Sequence, residues 1–135
     1  MDIKVFLSGG MNESNWQQEV IDFVGKDGFI YFNPREHSLI NPSEYTMWDL
    51  FYVKNCQVLF AYMQKDNPSG FGLTLEIGYA AALGKQIILI DEKSVSDKIF
   101  EQKFKIVRES SSIVFDSFSD GLTFLKKLRN GINSL

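Results

Sequence analysis

The chain has few of the residues from which disulfide-rich and metal-dependent proteins are built. It holds one cysteine, Cys56, and one histidine, His37. A lone cysteine excludes a disulfide within the chain and fits a reducing compartment, so we expect a cytoplasmic protein. No cysteine or carboxylate cluster has the spacing of metal ligands, and we predict neither a metal site nor another cofactor. His37 is interpreted as a surface loop residue.

Long apolar segments and long basic segments are missing as well. No apolar run approaches the ~18 residues that span a bilayer, and the Gly9-Gly10 turn interrupts the first apolar stretch, so no signal peptide is predicted. The net charge is -3, and the densest basic cluster, residues 126–129, has the pattern of a solvated helix face. We expect neither a membrane nor a polymeric nucleic acid as partner.

Apolar residues, in contrast, are abundant. They make up 44% of the chain, which includes twelve phenylalanines, and this composition is typical of a globular protein. The length of 135 residues predicts one domain over residues 1–135. Strands are predicted at 3–7, 29–32, 58–62, 86–90 and 113–115. Helical patterns alternate with them, which predicts an α/β fold: a flavodoxin-like doubly wound sandwich with a five-stranded parallel sheet of order 2-1-3-4-5.

Glu76 is the first candidate catalytic residue. It falls in the first turn of a helix predicted over 74–83, just beyond the carboxyl end of the third strand, where the helix dipole favours a charged carboxylate. A charged carboxylate at this edge of a parallel sheet suits a nucleophile. The alternative is that Glu76 only favours the helix.

Asp49 is the second candidate. It lies on a helix predicted over 45–55, whose aromatic residues Trp48, Phe51 and Tyr52 are expected to face the sheet. Packing of this helix would bring Asp49 over the crevice, and the alternative is a lone acid that faces water. Residues 91–108 have the least regular pattern and are interpreted as a helix above a mobile loop.

The strand order predicts where a ligand binds. Ligands of doubly wound sheets bind where the order reverses, here between the carboxyl ends of the first and third strands. This rule gathers residues 8–12 and 64–72 beside Glu76. Ser8, Gly9 and Gly10 allow a ligand to approach the backbone closely, and their N–H groups suit an oxyanion or a sugar hydroxyl.

The second strand adds two residues at the rim of the same crevice. Asn33 and Arg35 follow its carboxyl end. The guanidinium of Arg35 is suited to a 5′-phosphate, because it matches phosphate with two parallel hydrogen bonds. The alternative is that Arg35 tethers a loop through a salt bridge.

Five motifs in this order resemble those of the nucleoside 2-deoxyribosyltransferases and of the related 2′-deoxynucleoside 5′-phosphate N-hydrolases. They are Val-Phe-Leu-Ser-Gly-Gly at 5–10, Asn-Trp-Gln at 15–17, Asn-Pro-Arg at 33–35, Trp-Asp-Leu at 48–50 and the segment 72–85. The last, with its Glu-Ile-Gly-Tyr-Ala and Leu-Gly-Lys pattern, is the most specific. Together the motifs span about two thirds of the chain.

The resemblance implies roles for three parts of this chain. The family's nucleophilic glutamate, which attacks the anomeric carbon, corresponds to Glu76. Its helix aspartate, which helps to orient the glutamate and the substrate, corresponds to Asp49. Its first glycine loop lies against the sugar or the 5′ substituent and corresponds to residues 8–10.

The chain departs from the family in the loop before the glutamate. Six residues before the nucleophile the transferases have aspartate and the nucleotide hydrolases have serine, whereas this chain has Gly70. Asp66, Asn67 and Ser69 are the candidates to replace that residue, and Gly72 is expected to lie against the substrate. The phosphate-binding arginine of the nucleotide hydrolases has no match in residues 9–14.

The resemblance predicts a nucleoside 2-deoxyribosyltransferase-like enzyme. We expect it to cleave the N-glycosidic bond of a (2′-deoxy)nucleoside through Glu76 and to transfer the sugar to another base or to water. The alternatives are a 2′-deoxynucleoside 5′-phosphate N-hydrolase and a non-catalytic nucleotide-binding module on the same fold. The expected partner is a small nucleoside or nucleotide, and the aromatic-rich helices predict a homo-oligomer.

Overall fold

Five parallel strands form one sheet in the order β2-β1-β3-β4-β5 in the computed structural model, which describes residues 2–134. The strands are β1 (Ile3–Gly9), β2 (Phe29–Phe32), β3 (Val58–Met63), β4 (Gln86–Asp91) and β5 (Ile113–Phe115). The helices are α1 (Trp16–Val24), α2 (Pro42–Asn55), α3 (Phe71–Ala82), α4 (Lys93–Ser96), α5 (Lys98–Glu109) and α6 (Phe118–Asn133). The predicted α/β fold and strand order are confirmed. No helix of this part of the chain has the length and apolar character needed to cross a membrane.

The sheet has an apolar core on each of its two faces. All six residues of β3 are buried, because a central parallel strand is covered on both sides. Successive side chains alternate between the faces. Phe60 therefore packs in the core beside α1 and α6, whereas Leu59 and Ala61 pack in the core beside α3 and α5.

The topology places one crevice at the carboxyl ends of β1 and β3. β1 pairs with β2 on one side and with β3 on the other, and Gly9 is opposite Tyr62 at the end of the ladder. The chain leaves β1 towards α1 and leaves β3 towards α3. The loops that follow β1 and β3 diverge here, as expected for the switch point of a doubly wound sheet.

Helix α3 begins three residues earlier than predicted. Gly70 precedes it in the left-handed conformation with φ of 72°, and its carbonyl accepts a hydrogen bond from the Thr74 N–H at 2.9 Å. Glu76 is consequently in the second turn, so its predicted place in the first turn is wrong. The sequence pattern does not predict this start of α3, because Gly70 has no side chain with which to cap the helix.

The segment interpreted as a helix above a mobile loop is almost wholly helical. It forms α4 and α5, and the Asp97 side chain caps α5 by accepting a hydrogen bond from the Phe100 N–H at 2.9 Å. The buried carboxylate of Asp91 pairs with Arg108 at 2.7 Å. This ion pair joins the end of β4 to the end of α5.

The expected orientation of the α2 aromatic residues is correct only for Tyr52. Its ring stacks on Phe32 with a centroid distance of 4.6 Å. Trp48 and Phe51 are 48% and 59% exposed. The helix therefore presents aromatic side chains on two sides, and one of these sides is uncovered.

Candidate active site

Ser8 and Glu76 meet at the carboxyl edge of the sheet. Ser8 is the last but one residue of β1 and is fully buried, and its hydroxyl donates a hydrogen bond to Glu76 Oε1 at 2.6 Å. Glu76 reaches this point from α3 and keeps partial exposure to solvent. The bond fixes one carboxyl oxygen of Glu76 at the end of β1.

The environment of Glu76 favours its protonated form. Burial, the largest effect, raises the pKa of Glu76 to about 8; the Ser8 hydrogen bond lowers it and the charge of Asp49 raises it. The expectation that the helix terminus keeps this group charged is wrong. In the second turn the helix N–H groups are already bonded within the helix, so desolvation outweighs the dipole.

Asp49 is paired with His37. The distance between His37 Nε2 and Asp49 Oδ1 is 2.8 Å, and the two side chains are 7% and 18% exposed. The Leu39 N–H donates to His37 Nδ1 at 3.0 Å, so the neutral ring carries its proton on Nε2 and donates it to Asp49. Burial raises the pKa of Asp49, and the hydrogen bond from His37 lowers it.

The interpretation of His37 as a surface loop residue is therefore wrong. Its ring also lies against Trp48 and Tyr52 of α2. The place of His37 near the crevice could have been predicted from the sequence, because His37 follows the carboxyl end of β2 by only a few residues. The rule that put Asn33 and Arg35 at the crevice applies to it equally.

The glycine loop and the loop before α3 enclose a cavity of about 160 Å³. It is lined by Gly9, Gly10, Asn67, Ser69, Gly70, Phe71, Gly72 and Leu73. Four predicted substrate-binding residues are thus brought together: Gly9, Gly10, Ser69 and Gly72. Asp66 is exposed and is not part of this lining, whereas its neighbour Asn67 is buried.

The backbone at Gly70 favours glycine, where the resemblance implies an acidic or hydroxyl residue. A Cβ on Gly70 would meet the Met63 thioether methyl, and its φ of 72° disfavours most residues with a Cβ. A side chain at this position would require Met63 to shift and would strain the turn. Asn67 and Ser69 are the polar residues that the structure places at the cavity instead.

Arg35 is engaged within the protein. Its Nε donates to Gln17 Oε1 at 2.7 Å, and its terminal nitrogen donates to the carbonyls of Met11, at 2.8 Å, and of Ser14. Asn33, which is buried, accepts a hydrogen bond from the Arg35 N–H at 3.0 Å. Arg35 thus tethers the loop after β1 through carbonyl and amide groups, rather than through the salt bridge considered above.

Within residues 2–134, no group of three histidine, cysteine, aspartate or glutamate side chains is arranged to hold a metal ion.

Comparison with solved structures finds the same fold in other proteins. The chain resembles a 2-desoxiribosyltransferase from Leishmania mexicana (TM-score 0.68, 16% identity, 93% of this chain and 97% of that chain). It resembles equally a conserved protein from Enterococcus faecalis V583 (TM-score 0.70, 16% identity, 95% and 99%). A CMP N-glycosidase from Clostridium botulinum is also similar (TM-score 0.60, 24% identity, 95% and 98%). At these identities the likeness shows the fold.

The family itself follows from the sequence. No curated protein matches the chain, but the family described as "Nucleoside 2-deoxyribosyltransferase like" matches residues 2–94. The match covers well over half of the chain, and it includes Ser8, His37, Asp49 and Glu76. The protein belongs to the nucleoside 2-deoxyribosyltransferase-like family.

Proposed function

We propose that the protein is an enzyme that cleaves the N-glycosidic bond of a 2′-deoxynucleoside and transfers the sugar to a second base or to water. The observation that carries the proposal is the carboxyl group of Glu76, which Ser8 holds at 2.6 Å at the switch point of the sheet; Gly9, the residue after Ser8, lines the cavity there. Family membership supports the same reaction class.

The proposed reaction has two displacements at the anomeric carbon. Glu76 first loses its proton, and its free carboxylate oxygen attacks C1′. A C–O bond forms while the C–N bond breaks, and the electron pair of that bond leaves with the base, which takes up a proton. A second base or a water molecule then attacks C1′ and releases Glu76, with net retention of configuration.

Asp49 is proposed to orient the substrate and Glu76. The hydrogen bond from His37 Nε2 fixes one oxygen of Asp49, which leaves the other oxygen for a substrate hydroxyl or for the leaving base. Its charge also acts on Glu76 directly, since it raises the pKa of that group. His37 is then a positioning residue that acts through Asp49.

The base is proposed to lie between the first loop and residues 64–69. Ser69 and Gly72 line the cavity and are proposed to contact the substrate, and Asp66 is proposed to contact it from the exposed rim. Asn33 and Arg35 are proposed to shape the crevice through the loop that Arg35 tethers. Because the Arg35 guanidinium is engaged by the loop after β1, it does not present a free cation to a phosphate. The proposed substrate is therefore a nucleoside, and the alternative is a nucleoside 5′-phosphate.

A homo-oligomer is proposed through the exposed apolar side chains of α2 and α3. Met47, Trp48 and Phe51 of α2 line one apolar cavity, and Phe71 and Leu75 of α3 are also exposed. Exposed large apolar and aromatic side chains are typical of an interface. We expect light scattering after gel filtration to give a multiple of the chain mass, and Phe51→Ser to lower it. Phe23→Ser is the matched control, because Phe23 is also half exposed but is covered by Lys126.

One incubation separates the candidate functions. The protein is mixed with each of the four 2′-deoxynucleosides, and separately with each of their 5′-monophosphates, with and without a second base, and the products are resolved by chromatography. Free base from a monophosphate but not from its nucleoside would assign a nucleotide hydrolase. We expect an exchanged nucleoside in the presence of the second base. Free base alone would assign a hydrolase, and no product with any nucleoside or its 5′-monophosphate would assign a binding module. Glu76→Gln is the control and is expected to lower turnover by roughly three or more orders of magnitude.

A further inference from the structure

The connection between β3 and α3 brings polar residues to the cavity but is held by few bonds. We call its residues 65–69 the β3–α3 loop. Asn67 and Ser69 of this loop line the cavity, and the Ser69 N–H donates to Asn67 Oδ1 at 3.1 Å. Over residues 2–134, a single hydrogen bond ties the β3–α3 loop to an element outside the connection, and its donor is Lys93. The position of the loop therefore depends on this bond.

Lys93 begins α4, two residues after the end of β4. Its Nζ donates to the Asn67 carbonyl at 2.6 Å and lies 5.3 Å from the centroid of the Phe100 ring in α5. Within the part of the chain that the structure describes, Lys93 makes no ion pair with a carboxylate. The ammonium group is thus directed to a loop carbonyl and to an aromatic face, both of which attract a cation.

Asn67 is the inward-facing residue of the β3–α3 loop. It is only 7% exposed, whereas the other four residues of the loop are exposed. The backbone carbonyl of a buried residue needs a hydrogen-bond partner, and Lys93 supplies it. Without Lys93, water would have to reach this carbonyl. The loop would then move outward and carry Asn67 and Ser69 away from the cavity.

We propose that Lys93 is a positioning residue that holds the β3–α3 loop in its substrate-binding conformation; this inference rests on the proposed function. Lys93 acts through Asn67 and not on the reacting atoms, so its removal weakens binding of the nucleoside and spares the chemical step. Phe100 contributes through the same ammonium group. Since Phe100 lies beyond residues 2–94, which match the family, the affinity of the site depends in part on a helix outside that match.

Limited proteolysis of the native protein reports on the loop directly. Lys65 is exposed within the β3–α3 loop, and trypsin cleaves after lysine at a rate that follows the population of locally opened chain. We expect Lys93→Met to accelerate cleavage after Lys65 at least ~5-fold, measured by mass spectrometry of the fragments. Lys98→Met is the matched control, because the Lys98 side chain is 73% exposed, and it should leave this rate unchanged.

Binding and kinetics show whether the loop serves the substrate. Calorimetry in the Glu76→Gln background measures the dissociation constant of a 2′-deoxynucleoside, and steady-state kinetics with an active Glu76 measure kcat and KM. We expect Lys93→Met to raise the dissociation constant and KM roughly 10-fold and to change kcat less than ~twofold. A fall in kcat with unchanged KM would overturn the inference, because it is the result expected from loss of active, folded protein.

Two milder variants keep the test decisive if Lys93→Met does not fold. Lys93→Arg retains a charged donor and should keep most of the affinity and most of the protection from trypsin. Phe100→Leu retains apolar bulk but removes the aromatic face, so it should weaken nucleoside binding about two- to threefold. Combined with Lys93→Met it should add nothing further, since both residues act through one contact. Additive losses would contradict the proposed link between Phe100 and the loop.

The results separate this inference from the proposed reaction. If Lys93→Met accelerates cleavage and weakens nucleoside binding but the wild-type protein turns nothing over, the catalytic proposal fails and the role of Lys93 stands. If the wild type is active but Lys93→Met changes neither the cleavage rate nor the affinity, the reaction stands and this inference fails. If no nucleoside binds to any of the proteins, both proposals fail, because the loop then has no such substrate to bind.

Discussion

Ser8 and Glu76 are joined by a hydrogen bond of 2.6 Å although 68 residues separate them in sequence. The bond spans the switch point, because Ser8 lies next to the last residue of β1 and Glu76 belongs to the helix that follows β3. It opposes the burial that raises the pKa of Glu76 to about 8. We therefore expect the ionisation of this carboxyl group to contribute to the pH dependence of both activity and stability.

Activity is expected to rise with pH as Glu76 loses its proton. Since kcat/KM reports ionisations of the free enzyme, we expect it to increase between pH 6 and 8 and to level off above the pKa of about 8. Ser8→Ala should move the midpoint to higher pH, because it removes a donor to the charged form. Asp49→Asn should move it to lower pH, because it removes a neighbouring negative charge.

The measurement needs a substrate that does not itself ionise between pH 6 and 9. A profile that stays flat over this range would contradict the assignment of Glu76 as the group that must be charged. Midpoint shifts of the same sign in the Ser8 and Asp49 variants would contradict the electrostatic argument.

Stability is expected to fall with pH through the same group. The pKa of this side chain rises from an ordinary 4.5 to about 8 in the folded protein, so between these values the folded state binds the proton and the unfolded state does not. Stability then decreases as pH rises from 4.5 to 8. We expect Glu76→Gln, which cannot ionise, to gain Tm relative to wild type, on the order of a few degrees at pH 8.5.

Calorimetric melting of both proteins at pH 5 and pH 8.5 checks this prediction. The Tm difference between variant and wild type should be larger at pH 8.5 than at pH 5. Glu92→Gln makes a poor control because Glu92 is hydrogen-bonded to Tyr62, whereas Glu109→Gln at the exposed end of α5 is suitable. A difference that does not change with pH would show that burial does not hold Glu76 neutral.

The pair formed by Asp49 and His37 predicts a catalytic defect with little loss of fold. Asp49→Asn should lower kcat on the order of 100-fold, because the charge that orients the site is lost while size and most hydrogen bonding are kept. His37→Gln should lower kcat less, and the double variant should be no worse than Asp49→Asn, since His37 acts through Asp49. Steady-state kinetics give these values, and additive losses would show that His37 acts independently.

Arg35→Ala is expected to loosen the loop after β1. The variant loses three hydrogen bonds, to Gln17, Met11 and Ser14, so we expect a lower Tm and weaker binding of every ligand. The ratio of nucleoside to monophosphate affinity should stay the same, because the guanidinium faces the loop. A monophosphate preference in the wild type that disappears in Arg35→Ala would instead assign a phosphate-binding role and a nucleotide substrate.

Much of this architecture could be predicted from the sequence. The alternation of apolar strands and helices gives the strand order, and Glu76 and Asp49 stand in motifs that resemble the family. What could not be predicted depends on three-dimensional packing. The pairing of His37 with Asp49 joins the loop after β2 to α2. The direction of the pKa shift of Glu76 follows from burial in the folded chain. The start of α3 depends on a left-handed backbone at Gly70, which leaves no polar cap in the sequence to detect.

The fit between Gly70 and Met63 has a consequence for how this site can change. The resemblance implies an acid or a hydroxyl at the position of Gly70, but here its backbone is left-handed and a side chain would meet the Met63 methyl. We therefore expect the effect of a substitution at position 70 to depend on the residue at position 63. An aspartate or serine at position 70 should be tolerated better beside a smaller residue at position 63, so the chemistry of this loop is coupled to the packing of β3.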